Sequence, residues 1–186
     1  MVSFASGKAR SVMVRTATHV LEILWPDFIE MNGRVFAGFQ CHGGTIHELS
    51  DGQTETECLV NHTHVLDEFR NRATSERKEP SEELEVVEVT YEVTHPDFVN
   101  ACEIGRKMAR MWAMKLKADF PHERFRVYYT QYDNPIVRFH KVRTDEPVWL
   151  SDEQLMSATD RSFSSAVIYD TDYLDKPVVK KRLLPN

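Results

Sequence analysis

The sequence predicts an α+β domain: a mostly antiparallel sheet built from hairpins, covered by one long helix at about 95–118 and by shorter helices. Three observations carry this prediction. Two segments, near 28–39 and 124–142, read as β-hairpins. Val87, Val89, Tyr91 and Val93 alternate with Glu88, Thr90 and Glu92, the period-two pattern of a half-buried strand. Between this strand and the second hairpin, Ala101, Ile104, Met108, Met111, Trp112 and Leu116 keep helical spacing.

The first hairpin rests on Asn32-Gly33, which readily takes the positive-φ conformations of a type I′ turn, between the β-prone runs 28–31 and 34–39. Upstream of it, 12–25 fits a strand pair or a helix equally well. Downstream, 40–56 is rich in Gly, Ser, Thr and Asp and reads as a loop with at most a short strand. Residues 57–60 look extended. Residues 63–72 look helical, with Val65, Leu66 and Phe69 on one face. The charged stretch 74–83, with Pro80, reads as an exposed connection. For the long helix, Thr94 is the expected cap, Pro96 fits the first turn, Asp97 suits the dipole and Pro121 marks the exit. Two strands then flank a turn at 132–135, Ser151 opens a short helix, and 166–169 forms a last strand. The expected organisation is a flexible 1–10, one domain over 11–170 and an extended tail over 171–186.

Composition narrows the function classes. At 186 residues, with 41% apolar and 28% charged side chains, the chain is long enough to bury a core without metal or disulfide support. No stretch approaches the roughly 18 apolar residues that span a bilayer, and the first thirty residues hold no secretory signal pattern. Cys41, Cys58 and Cys102 are odd in number and widely spaced, which suits a reducing, cytoplasmic setting. A net charge of −6 disfavours duplex nucleic acid as partner. P-loop, dinucleotide-binding, nucleophile-elbow, kinase and HExxH motifs are absent.

Three constellations bear chemistry. The first gathers Cys41, His42, His47, Cys58, His62 and His64, with Asp67 and Glu68 following. His62 and His64 on a strand would point both imidazoles to one side, with Cys58 and Val60 on that side if the strand extends backwards. Such a pair collects metal ligands, and a divalent zinc or iron ion held by His62 and His64 with Cys41 or Glu68 is the metal expectation. The opposing expectation has Thr63 capping a helix and the two imidazoles splaying apart.

The second is the outward face of the 124–142 hairpin. Phe125, Val127 and Tyr129 alternate with Arg124, Arg126 and Tyr128, while Val137 and Phe139 alternate with Arg138 and His140. One face is therefore apolar. The other presents Arg126 and Arg138 as ligands for a carboxylate or phosphate, beside Tyr128 and His140 as proton-transfer groups. The competing reading pairs these arginines with Glu88 and Glu92 of a neighbouring strand. Third, Arg106, Lys107, Arg110, Lys115 and Lys117 make the long helix basic; such a helix can bind a membrane surface, calmodulin or nucleic acid, but the preferred reading is a solvated face favoured by the helix dipole.

Together these features point to a small intracellular enzyme. It would act on a polar, anionic small molecule by acid–base chemistry through His62, His64, His140 and Tyr128, or by metal-assisted chemistry. The alternative is a non-catalytic interaction or regulatory domain working as a homodimer, with Trp25, Trp112 and Trp149 as the residue types that anchor interfaces.

Overall fold

A computed structural model describes residues 17–41, 52–69, 94–131, 134–158 and 165–181. Residues 17–24 are helical (α1), so the ambiguous 12–25 run resolves as helix where it is described. The expected hairpin follows as β1 (Phe28–Met31) and β2 (Arg34–Ala37), paired antiparallel. Its turn residues Asn32 and Gly33 take φ of 52° and 75°, the left-handed values that favour Asn and Gly. β2 stops at Ala37, two residues short of expectation, and 38–40 forms a 3₁₀ turn.

The region after it departs from the sequence reading. Residues 53–60, expected as loop and then extended chain, form helix α2 (Gln53–Val60). β3 (Thr63–His64) and α3 (Val65–Phe69) then replace the single helix expected over 63–72. Cys58 and Val60 are therefore not strand neighbours of His62. The support for α2 comes from far along the chain. Glu146 accepts from the first helical amides, Gln53 N at 2.9 Å and Thr54 N at 2.6 Å. No local residue signals that cap.

Helix α4 (Pro96–Asp119) spans nearly the expected range. Its cap is His95 rather than Thr94, because the His95 Nδ1 accepts from Asp97 N at 3.2 Å. The second hairpin forms as β4 (Phe125–Thr130) and β5 (Ile136–Lys141). Ser151 caps α5 (Asp152–Ser157) with a full capping box to Gln154. β6 (Ser165–Asp170) is the expected last strand, but Val178–Lys181, in the segment read as an extended tail, adds β7 beside it. The main sheet has the order β3-β5-β4-β6-β7, and each of its pairings is antiparallel. The 85–93 strand and the 74–83 connection lie outside the described residues.

Both faces of this sheet are covered. On one face α4 buries Ala101, Met108, Trp112 and Leu116 against Phe125, Val127, Tyr129, Val137 and Phe139. Trp112, Phe28 and Phe139 meet edge-to-face, with centroids 5.1 to 6.3 Å apart, so the small hairpin shares the core. Gly105 permits this close approach: a Cβ there would lie 2.8 Å from the Tyr129 ring. On the other face, Leu155 of α5 packs with Tyr128, Ala166 and Ile168, and Leu150 and Val178 flank them. Lys180 fastens α5 from below, its ammonium donating to the Leu155 and Ala158 carbonyls.

Candidate functional site

The second face carries residues of the first two constellations. Antiparallel partners project to the same side of a sheet. Arg126 pairs with His140 and Tyr128 with Arg138 across β4 and β5. On the other flank of β4, Arg126 pairs with Asp170 and Tyr128 with Ile168. β3 brings in the histidine cluster, because Thr63 pairs with Val137 and His64 with Ile136. One residue beyond that pairing, His62 reaches the level of Arg138. The two constellations, separate in sequence, therefore share one surface.

Its centre is sealed. Tyr128 and His140 are buried, and the Tyr128 hydroxyl lies 2.8 Å from His140 Nε2. His140 Nδ1 lies 2.8 Å from the Lys141 carbonyl, which only accepts, so Nδ1 carries the proton and Nε2 accepts from Tyr128. The Trp149 amide also donates to Nε2, at 3.4 Å. Burial pushes the His140 pKa down to about 4; the Lys141 hydrogen bond opposes this, while Arg143 and Arg126 reinforce it. Burial likewise raises the Tyr128 phenol. The pair is neutral and mutually satisfied.

At one end lie His62, His64 and Arg138. The two imidazoles do not splay: their ring centroids are 4.3 Å apart. Burial, then the Arg138 charge, then His64 lower the His62 pKa to about 4, and the buried His62 Nε2 has no hydrogen-bond partner among the described residues. Arg138 lies under the Trp149 ring, 5.3 Å from its centroid. No carboxylate pairs with it among the described residues. Burial lowers its pKa, opposed by the nearby Cys58 and Tyr128, but a guanidinium stays charged at any physiological pH.

The other expected metal ligands are drawn elsewhere. Cys41 Sγ donates to the Ala37 carbonyl at 3.5 Å, and Glu68 pairs with His19 at 3.4 Å. Among the described residues no three His, Cys, Asp or Glu side chains gather as a metal set. His42 and His47 fall outside the described residues.

At the opposite end Arg126 has partners among the described residues, while Glu88 and Glu92 of the competing reading lie outside them. Its guanidinium meets Asp152 at 3.0 Å and Asp170 at 3.4 Å. Arg124 grips Asp170 with two nitrogens, Nε at 3.0 Å and Nη2 at 2.6 Å. The lysines of α4 are similarly engaged: Lys107 with Glu103, Lys115 with Asp119 and Lys117 with Asp172.

The part that three residues play at this face escaped the sequence reading. Asp170 follows Ile168 by two positions, so strand alternation extended by one residue would have found it. Trp149 and Glu146 sit in the 142–151 connection and carry no periodic signal. No helix among the described residues is long and apolar enough to cross a membrane. The chain matches no protein-family model, no curated protein and no solved structure.

Proposed function

We propose that this face is the working surface of a small enzyme for a polar anionic molecule, with Arg138 holding the anion and His62 exchanging the proton. The observation that carries this reading is Arg138: a largely enclosed guanidinium under Trp149 without a carboxylate partner among the described residues, next to a histidine whose buried Nε2 lacks a hydrogen-bond partner among them. A phosphate or carboxylate bound there would supply both missing partners. It would also draw the His62 pKa up from about 4 towards the range useful for acid–base work. Tyr128 and His140, which the sequence nominates as catalytic, support the floor from below through their closed hydrogen bond. A metal-assisted version would start from the His62–His64 pair and needs a further ligand. The free cysteines suit a cytoplasmic enzyme.

The test is a denaturation curve with and without phosphate or a dicarboxylate. Wild-type protein gains stability with anion concentration, and Arg138→Ala loses that gain while unfolding at a similar or higher denaturant concentration without anion. If no anion stabilises the wild type and Arg138→Ala costs more than about 2 kcal/mol, the guanidinium is structural.

A second reading, an interaction module acting as a homodimer, is favoured by Leu21 and Trp25. Leu21 lies on α1 and Trp25 follows its last residue, one turn on, and they are 65% and 48% exposed. Sedimentation over a concentration series separates the two readings: a mass that doubles with concentration supports the dimer.

A further inference from the structure

We propose that the end of this face remote from Arg138 is a second binding site, selective for a small organic carboxylate with a compact apolar body. A cleft of about 240 Å³ opens there between β4, β6 and the 173–178 segment. Its polar wall holds three cations, Arg124, Arg126 and Lys176, against two carboxylates, Asp152 and Asp170. Asp172 also approaches Arg124 Nε, at 3.9 Å, but is itself paired with Lys117 at 3.0 Å, so the local surplus is one positive charge, which a monoanion neutralises.

Hydrogen-bond capacity points the same way. Arg124 spends Nε and Nη2 on Asp170. Its Nη1 makes no hydrogen bond among the described residues, and its side chain is 40% exposed. Asp170 thereby fixes the guanidinium plane before any ligand arrives. Burial works against the Asp170 charge, but the hydrogen bonds from Arg124 and Asp172 N, with the Arg124 and Arg126 charges, hold its pKa below the usual value, so the clamp stays ionised at neutral pH. Lys176 is exposed on the rim and forms no ion pair among the described residues. Arg124 Nη1 and the Lys176 ammonium are thus two uncommitted donors for one carboxylate.

The rest of the lining sets the ligand's body. Ile168 and Val178 form an apolar wall. The Tyr173 ring is 57% exposed and stands 5.9 Å from the Arg124 guanidinium carbon, so it offers an aromatic side. A volume this small, below that of ordinary drug-sized pockets, suits a single ring. Free phosphate would satisfy the cations but leave the apolar wall unused.

Calorimetric titration at constant ionic strength tests the site, with benzoate as probe and benzamide as its neutral counterpart. Benzoate binds and benzamide does not. Lys176→Glu, an exposed substitution, weakens benzoate about tenfold by reversing a charge at the rim. Arg138→Ala leaves the Lys176-dependent benzoate binding in place, which separates this cleft from the Arg138 site. The proposal is overturned if benzoate fails to bind, if benzamide binds as well, if Lys176→Glu has no effect, or if Arg138→Ala abolishes binding. Failure of the phosphate effect at Arg138 does not bear on this outcome.

Discussion

Glu57 and Arg143 form a two-pronged ion pair inside the protein, with Arg143 Nη1 2.7 Å from Glu57 Oε2 and Nη2 3.0 Å from Oε1. Each carboxylate oxygen also accepts a backbone amide, Oε1 from Val35 at 2.7 Å and Oε2 from Lys141 at 2.9 Å. One helical turn on, Asn61 accepts from Ala37 N and donates to the Val35 and Phe139 carbonyls. The Glu57 side chain of α2 and the Asn61 side chain that follows the helix thus complete the outer edge of β2 and the part of β5 that β3 is too short to reach. They join the small hairpin to the main sheet.

Breaking that pair strands a buried charge. Arg143→Ala should cost about 3–5 kcal/mol in urea unfolding, because the 0% exposed Glu57 carboxylate loses its counter-ion. Changing both residues to apolar ones of similar size, Glu57→Leu with Arg143→Met, should cost less than the two single losses added together. Strictly additive losses would show that the charges do not act as a pair.

Trp112 provides the corresponding test of the core. It is 0% exposed and donates from Nε1 to the Ile23 carbonyl at 2.9 Å. Trp112→Ala should cost about 3–5 kcal/mol. Trp112→Phe keeps most of the ring contacts but orphans the Ile23 carbonyl, for about 1–2 kcal/mol. A loss under about 1 kcal/mol for the alanine variant would place this helix face outside the core.

What the sequence disclosed follows from how local each cause is. The turn at Asn32-Gly33 depends on backbone conformations those two residues favour, and alternation in 124–142 depends only on strand period, so both were legible. Helix α2 was not, because its stabilising groups lie 22 to 93 positions away, at Val35 and Glu146. The His62–His64 pair was legible as an alternative, but only β3 pairing with β5 decides that the rings converge. That, among the described residues, Arg126 is paired and Arg138 is not depends on Asp170, Asp152 and Trp149, and no spacing rule relates these to the arginines.

Stability should fall as the pH is lowered from 7.5 to 5. His140 has a pKa of about 4 in the folded protein, against about 6.5 in the unfolded chain. Between those values the unfolded chain binds the extra proton, so folding stability is complete above about 6.5, declines as pH falls towards 4, and levels off below. The full span is roughly 3 kcal/mol for this 0% exposed group. His62 adds to the decline in the same direction. Lowered carboxylates such as Asp170 lose their contribution only below the ordinary carboxylate range, so the 7.5-to-5 window isolates the histidines. Urea midpoints of His140→Gln should vary less over this window than those of the wild type. Equal pH dependence in the two proteins would show that His140 is not the group that titrates.

Glu146 controls the segment that roofs the face. Its carboxylate accepts from the Gln53 and Thr54 amides and so serves as a borrowed cap for α2. Burial opposes its charge, but those hydrogen bonds and Arg143 outweigh this and hold its pKa below the usual value, so the latch is closed at neutral pH and weakens only in acid. Four residues after Arg143 has been fixed by Glu57, the chain reaches Pro147, and Trp149 then closes over Arg138 while the Leu150 carbonyl accepts from Arg126. Glu146→Gln keeps the side-chain shape but removes the charge at the helix N-terminus, and should cost about 1 kcal/mol. The sharper signature is local. Amide hydrogen exchange over 144–151 should accelerate in the variant while exchange in α4 follows only the global stability change. Uniform acceleration across the chain would mean that Glu146 contributes to overall stability without latching this segment. No change in 144–151 would mean that Arg143 and the α5 capping box hold the roof by themselves.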